Sequence, residues 1–211
     1  MSQIDELYFV RGIRVPYNEA AATDPLYVQL TNAIIRYENE ILKKLLGYTL
    51  WKEYTDAVAA SELDVDPVAL ATKWDELKNG AEFSFEYGGQ TITDKWNGFT
   101  NSDKISLIAY YVYYQHRINT ETSYTGSGEK RSKGENSTNA DAKPKLVKAW
   151  NEMVNLYGKT PYSLISKDNF MDVNNYTHEN AAPSAYNFLL ANVSDYEGWI
   201  FTPLKFKHSM W

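Results

Sequence analysis

The sequence predicts a mainly α fold: a helical bundle of four to five helices with a small β-hairpin, a long polar loop and extended N- and C-terminal arms. Three observations predict it. Apolar residues recur at three- and four-residue steps in several stretches, the period of a helix with one buried face. Asp-Pro pairs open two of these stretches, and glycines close them. Alternation with period two occurs at one place, between residues 83 and 93. With 211 residues, 44% of them hydrophobic and 23% charged, the chain can bury a core without staples.

Residues 1–23 read as an extended arm with two β-like pieces, Leu7-Tyr8-Phe9-Val10 and Ile13-Arg14-Val15. Asp24 is placed as an N-cap and Pro25 in the first turn of a helix over 24–46. Its stripe is Leu26, Leu30, Ile34, Tyr37, Ile41 and Leu45, and Gly47 ends it. Thr49 caps a second helix over 50–61. Asp66-Pro67 opens a third over 67–79, which carries Val68, Leu70, Trp74 and Leu77 and ends at Gly80. Phe83, Phe85 and Tyr87, the turn Gly88-Gly89 and the return Thr91-Ile92-Thr93 then make a hairpin. A lone hairpin is marginal in water, so it should lean on helices or on another chain.

Asn101 or Ser102 caps a helix over 103–118 that is apolar on nearly every face. Such a helix is central, or is buried on one side by its own fold and on the other by a neighbour. Residues 120–142 are polar and too long for an ordinary connection. They read as a disordered insert or as a loop ordered by a partner. A helix over 143–157 follows, with Leu146, Val147, Trp150, Met153, Val154 and Tyr157 on one stripe. Another runs over 183–193. The stretch from Trp199 to Trp211 is apolar and extended, and should dock somewhere. The division expected is an arm (1–23), a helical core (24–158) and a C-terminal appendage (159–211).

Composition narrows function. The net charge of −6 argues against wrapping DNA by bulk charge. No apolar run is long enough for a bilayer-spanning helix, and the first residues do not form a secretory leader. The absence of cysteine excludes disulfides, thiolate zinc sites and a cysteine nucleophile. His116, His178 and His208 lie far apart, and none has a metal-binding partner at helical spacing. Glu62, Asp64 and Asp66 lack the later glutamate of a calcium loop. Residues 126–134 share only composition with a phosphate loop. Their cations, Lys130, Arg131 and Lys133, suit either a solvated loop or contact with DNA phosphates or an acidic partner. No serine nucleophile elbow is present. The chain also carries 17 tyrosines and 6 tryptophans. These suit either an aromatic-rich core or surfaces buried against partners.

The order of elements resembles the head–tail connector (neck adaptor) proteins of tailed bacteriophages, in the form met in phages and prophages of Bacteroides-type bacteria. The resemblance covers residues 24–158. It rests on Lys44-Leu45-Leu46-Gly47 followed by Leu50-Trp51 and Tyr54, and on Trp74, Leu77 and Gly80 before the hairpin. Further on are Trp96-Asn97-Gly98-Phe99, the tyrosine-rich run Ile108 to Tyr114, Tyr124-Thr125-Gly126, Glu135-Asn136-Ser137, Trp150 and Tyr157.

The resemblance implies a virion protein without catalytic activity or cofactor. Its copies would form a ring, commonly dodecameric, that joins the portal to the tail and extends the DNA channel. On that reading Tyr110, Tyr111, Tyr113, Tyr114 and Tyr124 serve the subunit interface. Trp199, Ile200, Phe201, Phe206 and Trp211 dock on the portal or tail, and Lys130, Arg131 and Lys133 meet passing DNA. The alternative is an enzyme or small-ligand module with a pocket lined by Trp51, Trp74, Trp96 and Tyr111.

Overall fold

The computed structural model describes residues 2–15, 23–63, 65–87, 90–120, 122–125, 128–131, 143–158 and 184–207. Its class is the one the periodicity predicts: mainly helical, with five α-helices and a small antiparallel hairpin among the described residues. Helix α1 (Pro25–Ser61) begins as the sequence dictates. Asp24 Oδ1 accepts the amide of Leu26 at 2.7 Å, and Pro25 occupies the first turn. The helix is broken at Gly47, whose φ of 75° and ψ of 167° suit glycine and strain any other residue. The two helices expected on either side of Gly47 are the two limbs of α1. The first limb buries Leu30, Ile34, Tyr37, Ile41 and Leu45, and the second buries Leu50, Tyr54 and Val58.

Helix α2 (Thr72–Asn79) is shorter than the 67–79 predicted. Asp66 has φ 53°, so it does not lead into a helix, and the Val68 amide donates to Ala60 O at 3.1 Å. The reason is burial. Val65 and Val68 are exposed, whereas Trp74 and Leu77, further along, have a core to enter. Strands β1 (Ala81–Tyr87) and β2 (Gln90–Trp96) pair antiparallel, with Tyr87 opposite Gln90. Gly80 and Gly98 let the end of α2 and the segment after β2 touch. A Cβ on Gly98 would lie 2.5 Å from the Asn79 carbonyl carbon, and one on Gly80 would lie 2.4 Å from Trp96 O. The contact is sealed by Trp96 Nε1, which donates to Leu77 O at 3.0 Å.

Helix α3 (Leu107–Thr120) starts four residues later than predicted. Asn101 closes a turn instead, binding both the amide and the carbonyl of Ile105. This helix is the centre of the fold and packs on both α1 and α4 (Lys143–Tyr157). Part of the segment expected to be a loop or disordered insert holds two short paired strands, β3 (Thr122–Thr125) and β4 (Gly128–Arg131). Helix α5 (Ala185–Ala191) lies on β1, where Phe188 meets Phe83 edge-on at 5.8 Å. The hairpin thus leans on a helix of its own chain.

The first residues are not an extended arm. They form 3-10 turns at Glu6–Tyr8 and Arg11–Ile13, and Ile4, Tyr8, Phe9, Ile13 and Val15 enter the main core. In a 3-10 turn side chains three residues apart share a face, where an extended strand would alternate them. No helix of the described residues is long and apolar enough to cross a membrane.

Candidate functional site

Among the described residues, most tyrosines and tryptophans are buried in the core. Tyr54, Tyr157 and Tyr196 are all but sealed, and each hydroxyl has a place to donate: Gln3 Oε1 at 3.0 Å, Thr202 O at 2.7 Å and Lys73 O at 2.7 Å. Burial pushes all three hydroxyls well above the ordinary tyrosine value, so they remain donors. Tyr111, Tyr113 and Tyr114 of α3 are likewise buried by their own chain, at 1%, 3% and 5% exposure. These are three of the residues expected at a subunit interface, and α1 and α4 already cover the helix that carries them. Tyr110 is half-buried, and Tyr124 lies in β3.

Tyr111 also belongs to a polar cluster that resembles proton-transfer machinery. Its hydroxyl donates to Glu40 Oε1 at 2.6 Å, and Lys44 Nζ reaches the same oxygen at 2.5 Å. Desolvation acts to raise the Glu40 carboxyl. The Lys44 and Tyr111 donors, with the charges of Lys44 and Arg36, outweigh it and hold the carboxyl low. Burial, then Glu40, raises Tyr111. The two shifts fix the protons where they are, so the cluster fastens α1 to α3 and offers no poised acid or base.

The surface that stands apart is built around the break in α1. A helix break frees carbonyls in the turn before it. Here the C-terminal segment supplies the missing donors: the Thr202 amide to Lys44 O at 3.2 Å and Trp199 Nε1 to Leu45 O at 2.7 Å. This docking sets Ile200 beside Gly47, its Cβ 3.6 Å from where a Gly47 Cβ would stand. Ile200 is 69% exposed and Tyr48 is 67% exposed. Tyr48 contacts the half-buried Trp51 at 5.7 Å between ring centroids, with Lys43 Nζ 3.9 Å from the Trp51 ring. On the other side Trp199, Phe201 and Tyr186 pack ring to ring. The result is an aromatic and aliphatic face assembled from α1 and the last described segment. The sequence marks Trp199, Ile200 and Phe201 as a docking stretch, and the structure brings them together here. It adds Tyr48, which periodicity could not single out because its exposure depends on the break.

The other expected residues separate. Phe206 is half-buried further along the segment, and Trp211, Lys133, His178 and His208 lie outside the described residues. Lys130 and Arg131 are in β4, opposite Ser123 and Thr122. Trp74, Trp96 and Tyr111 are core residues, whereas Trp51 is half-buried. His116 is buried in α3, and burial, then Arg117, lowers its pKa. Among the described residues no three His, Asp or Glu side chains gather as a metal site.

A cavity of about 680 Å³ lies elsewhere, between residues 2–6 and the two limbs of α1. Its buried carboxylate is Glu38, 6% exposed. Compared with known proteins, the chain matches no family model, no curated protein and no solved structure.

Proposed function

We propose that the chain is a structural subunit without an active site, one that assembles through the face at the α1 break. In the form its sequence resembles, the assembly is a ring in a phage neck that joins portal to tail around the DNA channel. The observation that carries the assembly reading is the Tyr48–Ile200 face. Two large apolar side chains stand in water there, flanked by half-buried aromatics, on a backbone held by paired hydrogen bonds. Aromatic anchors on a rigid support are what interface cores use. A ring adds one requirement, a second and different face complementary to the first. The net charge of −6 suits a conduit wall, since like charge keeps passing DNA from sticking. Localisation in the virion follows from the same proposal.

Negative-stain imaging of the purified chain, alone and mixed with a portal protein, tests this reading. Annular particles or a portal-bound collar support it. A chain that stays single and ignores portal and tail proteins sinks it. The ligand-binding alternative has one observation in its favour, the cavity under residues 2–6, which shares none of the residues expected for it. A melting shift with a small molecule would favour that alternative.

A further inference from the structure

The strongest feature outside the proposed assembly face is the way residues 2–6 meet Glu38. Ser2 Oγ donates to Glu38 Oε2 at 2.5 Å, and the Gln3 amide meets both carboxyl oxygens at 2.9 and 3.0 Å. The Gln3 side chain in turn accepts from Tyr54 on the second limb of α1. These bonds span 35 and 36 residues of sequence, so they pin the first residues to the helix. The cavity opens directly beside them, and its lining includes Asp5, Glu6 and Glu38 but no lysine or arginine.

We propose that residues 2–6 form a pH-sensitive latch, which closes on α1 when the Glu38 carboxyl is protonated and loosens when it is ionised. The contacts survive protonation. A hydroxyl both donates and accepts, so Ser2 can take the carboxyl proton, and the second carboxyl oxygen still accepts from Gln3. What changes is the charge. Ionised and covered by the latch, Glu38 loses hydration that it recovers when the latch lifts.

The surrounding groups set the direction. On the latch, Asp5 and Glu6 add like charge near the cavity. Asp5 Oδ1 already accepts the Leu7 amide, and Glu6 takes a hydrogen bond from Tyr27. Tyr54 on the second limb is neutral. Burial is the largest influence on the Glu38 carboxyl and raises it. The Ser2 hydroxyl, the Gln3 and Ile4 amides and the terminal amino charge act in the lowering sense without overcoming it. A carboxyl raised in the closed state binds more proton there than in the open state. The hold is therefore full below the ordinary glutamate value and is lost as pH rises through the raised one. This inference does not depend on the assembly reading.

Hydrogen exchange of the amides of residues 3–7 in the full chain, corrected for intrinsic rates, reads the latch. The pH would be taken from below the ordinary glutamate value to about pH 8. The wild-type chain should lose protection across that range. Glu38→Gln, which keeps the shape and cannot ionise, should stay flat and end above the wild type. Ser2→Ala removes a donor to the ionised form and should move the loss to higher pH. Equal slopes in wild type and Glu38→Gln, weaker protection of Glu38→Gln at high pH, or an unmoved profile in Ser2→Ala would each overturn the proposal.

Discussion

The two ends of the described chain are attached by different physics. Residues 4–15 are held mainly by insertion: Phe9 and Val15 are fully buried, and Ile4, Tyr8 and Ile13 nearly so. Residues 199–207 are held mainly by stitching. Trp199 Nε1 and the Thr202 amide reach carbonyls of α1, and the carbonyls of Thr202 and Lys205 accept from Tyr157 and from Trp150 Nε1. Asn151 holds both the amide and the carbonyl of Lys207, whose ammonium lies against the rings of Tyr114 and Trp150. Insertion uses up the apolar side chains it employs. Stitching fixes a backbone and leaves side chains such as Ile200 facing water. On the proposed reading, that is why the assembly face includes the last segment.

Substitutions can break or sharpen this contrast. Phe9→Ala should be the most damaging. It leaves a cavity at a sealed site and should cost about 3–5 kcal/mol of unfolding free energy in denaturant titration. Tyr157→Phe cuts one stitch and keeps the ring. Because Thr202 is exposed, water can replace the donor, and the loss should be about 1 kcal/mol. Ile200→Ser should change stability by less than about 0.5 kcal/mol while weakening self-association, a split that sedimentation and melting together would detect. Trp51→Phe removes a buried N–H without a hydrogen-bond partner among the described residues. It should leave the melting temperature unchanged or slightly raised.

What could be read from sequence follows the same division. The break at Gly47, the helix 143–157 and the hairpin were legible because caps, glycines and periodicity are local signals. The start of α2 was not. Asp66-Pro67 imitates a helix opening, and the decision lay with burial of Trp74 and Leu77 against residues far along the chain, among them Tyr54 and Tyr196. The fate of the tyrosines was open for a related reason. A tyrosine can be buried if its hydroxyl finds a partner, and Glu40 and Thr202, which serve Tyr111 and Tyr157, come from 71 and 45 positions away. Of the candidate site, Trp199, Ile200 and Phe201 were visible as an apolar run. Their docking beside Gly47, next to the exposed Tyr48, was not, because it depends on carbonyls freed by the helix break.

Sedimentation equilibrium over a wide concentration range, on the wild-type chain beside the double variant Tyr48→Ser and Ile200→Ser, tests the central claim most directly. The account predicts a multi-subunit mass for the wild type and a single-chain mass for the folded variant. A wild type that remains single at every concentration, or a variant that assembles equally well, would contradict it.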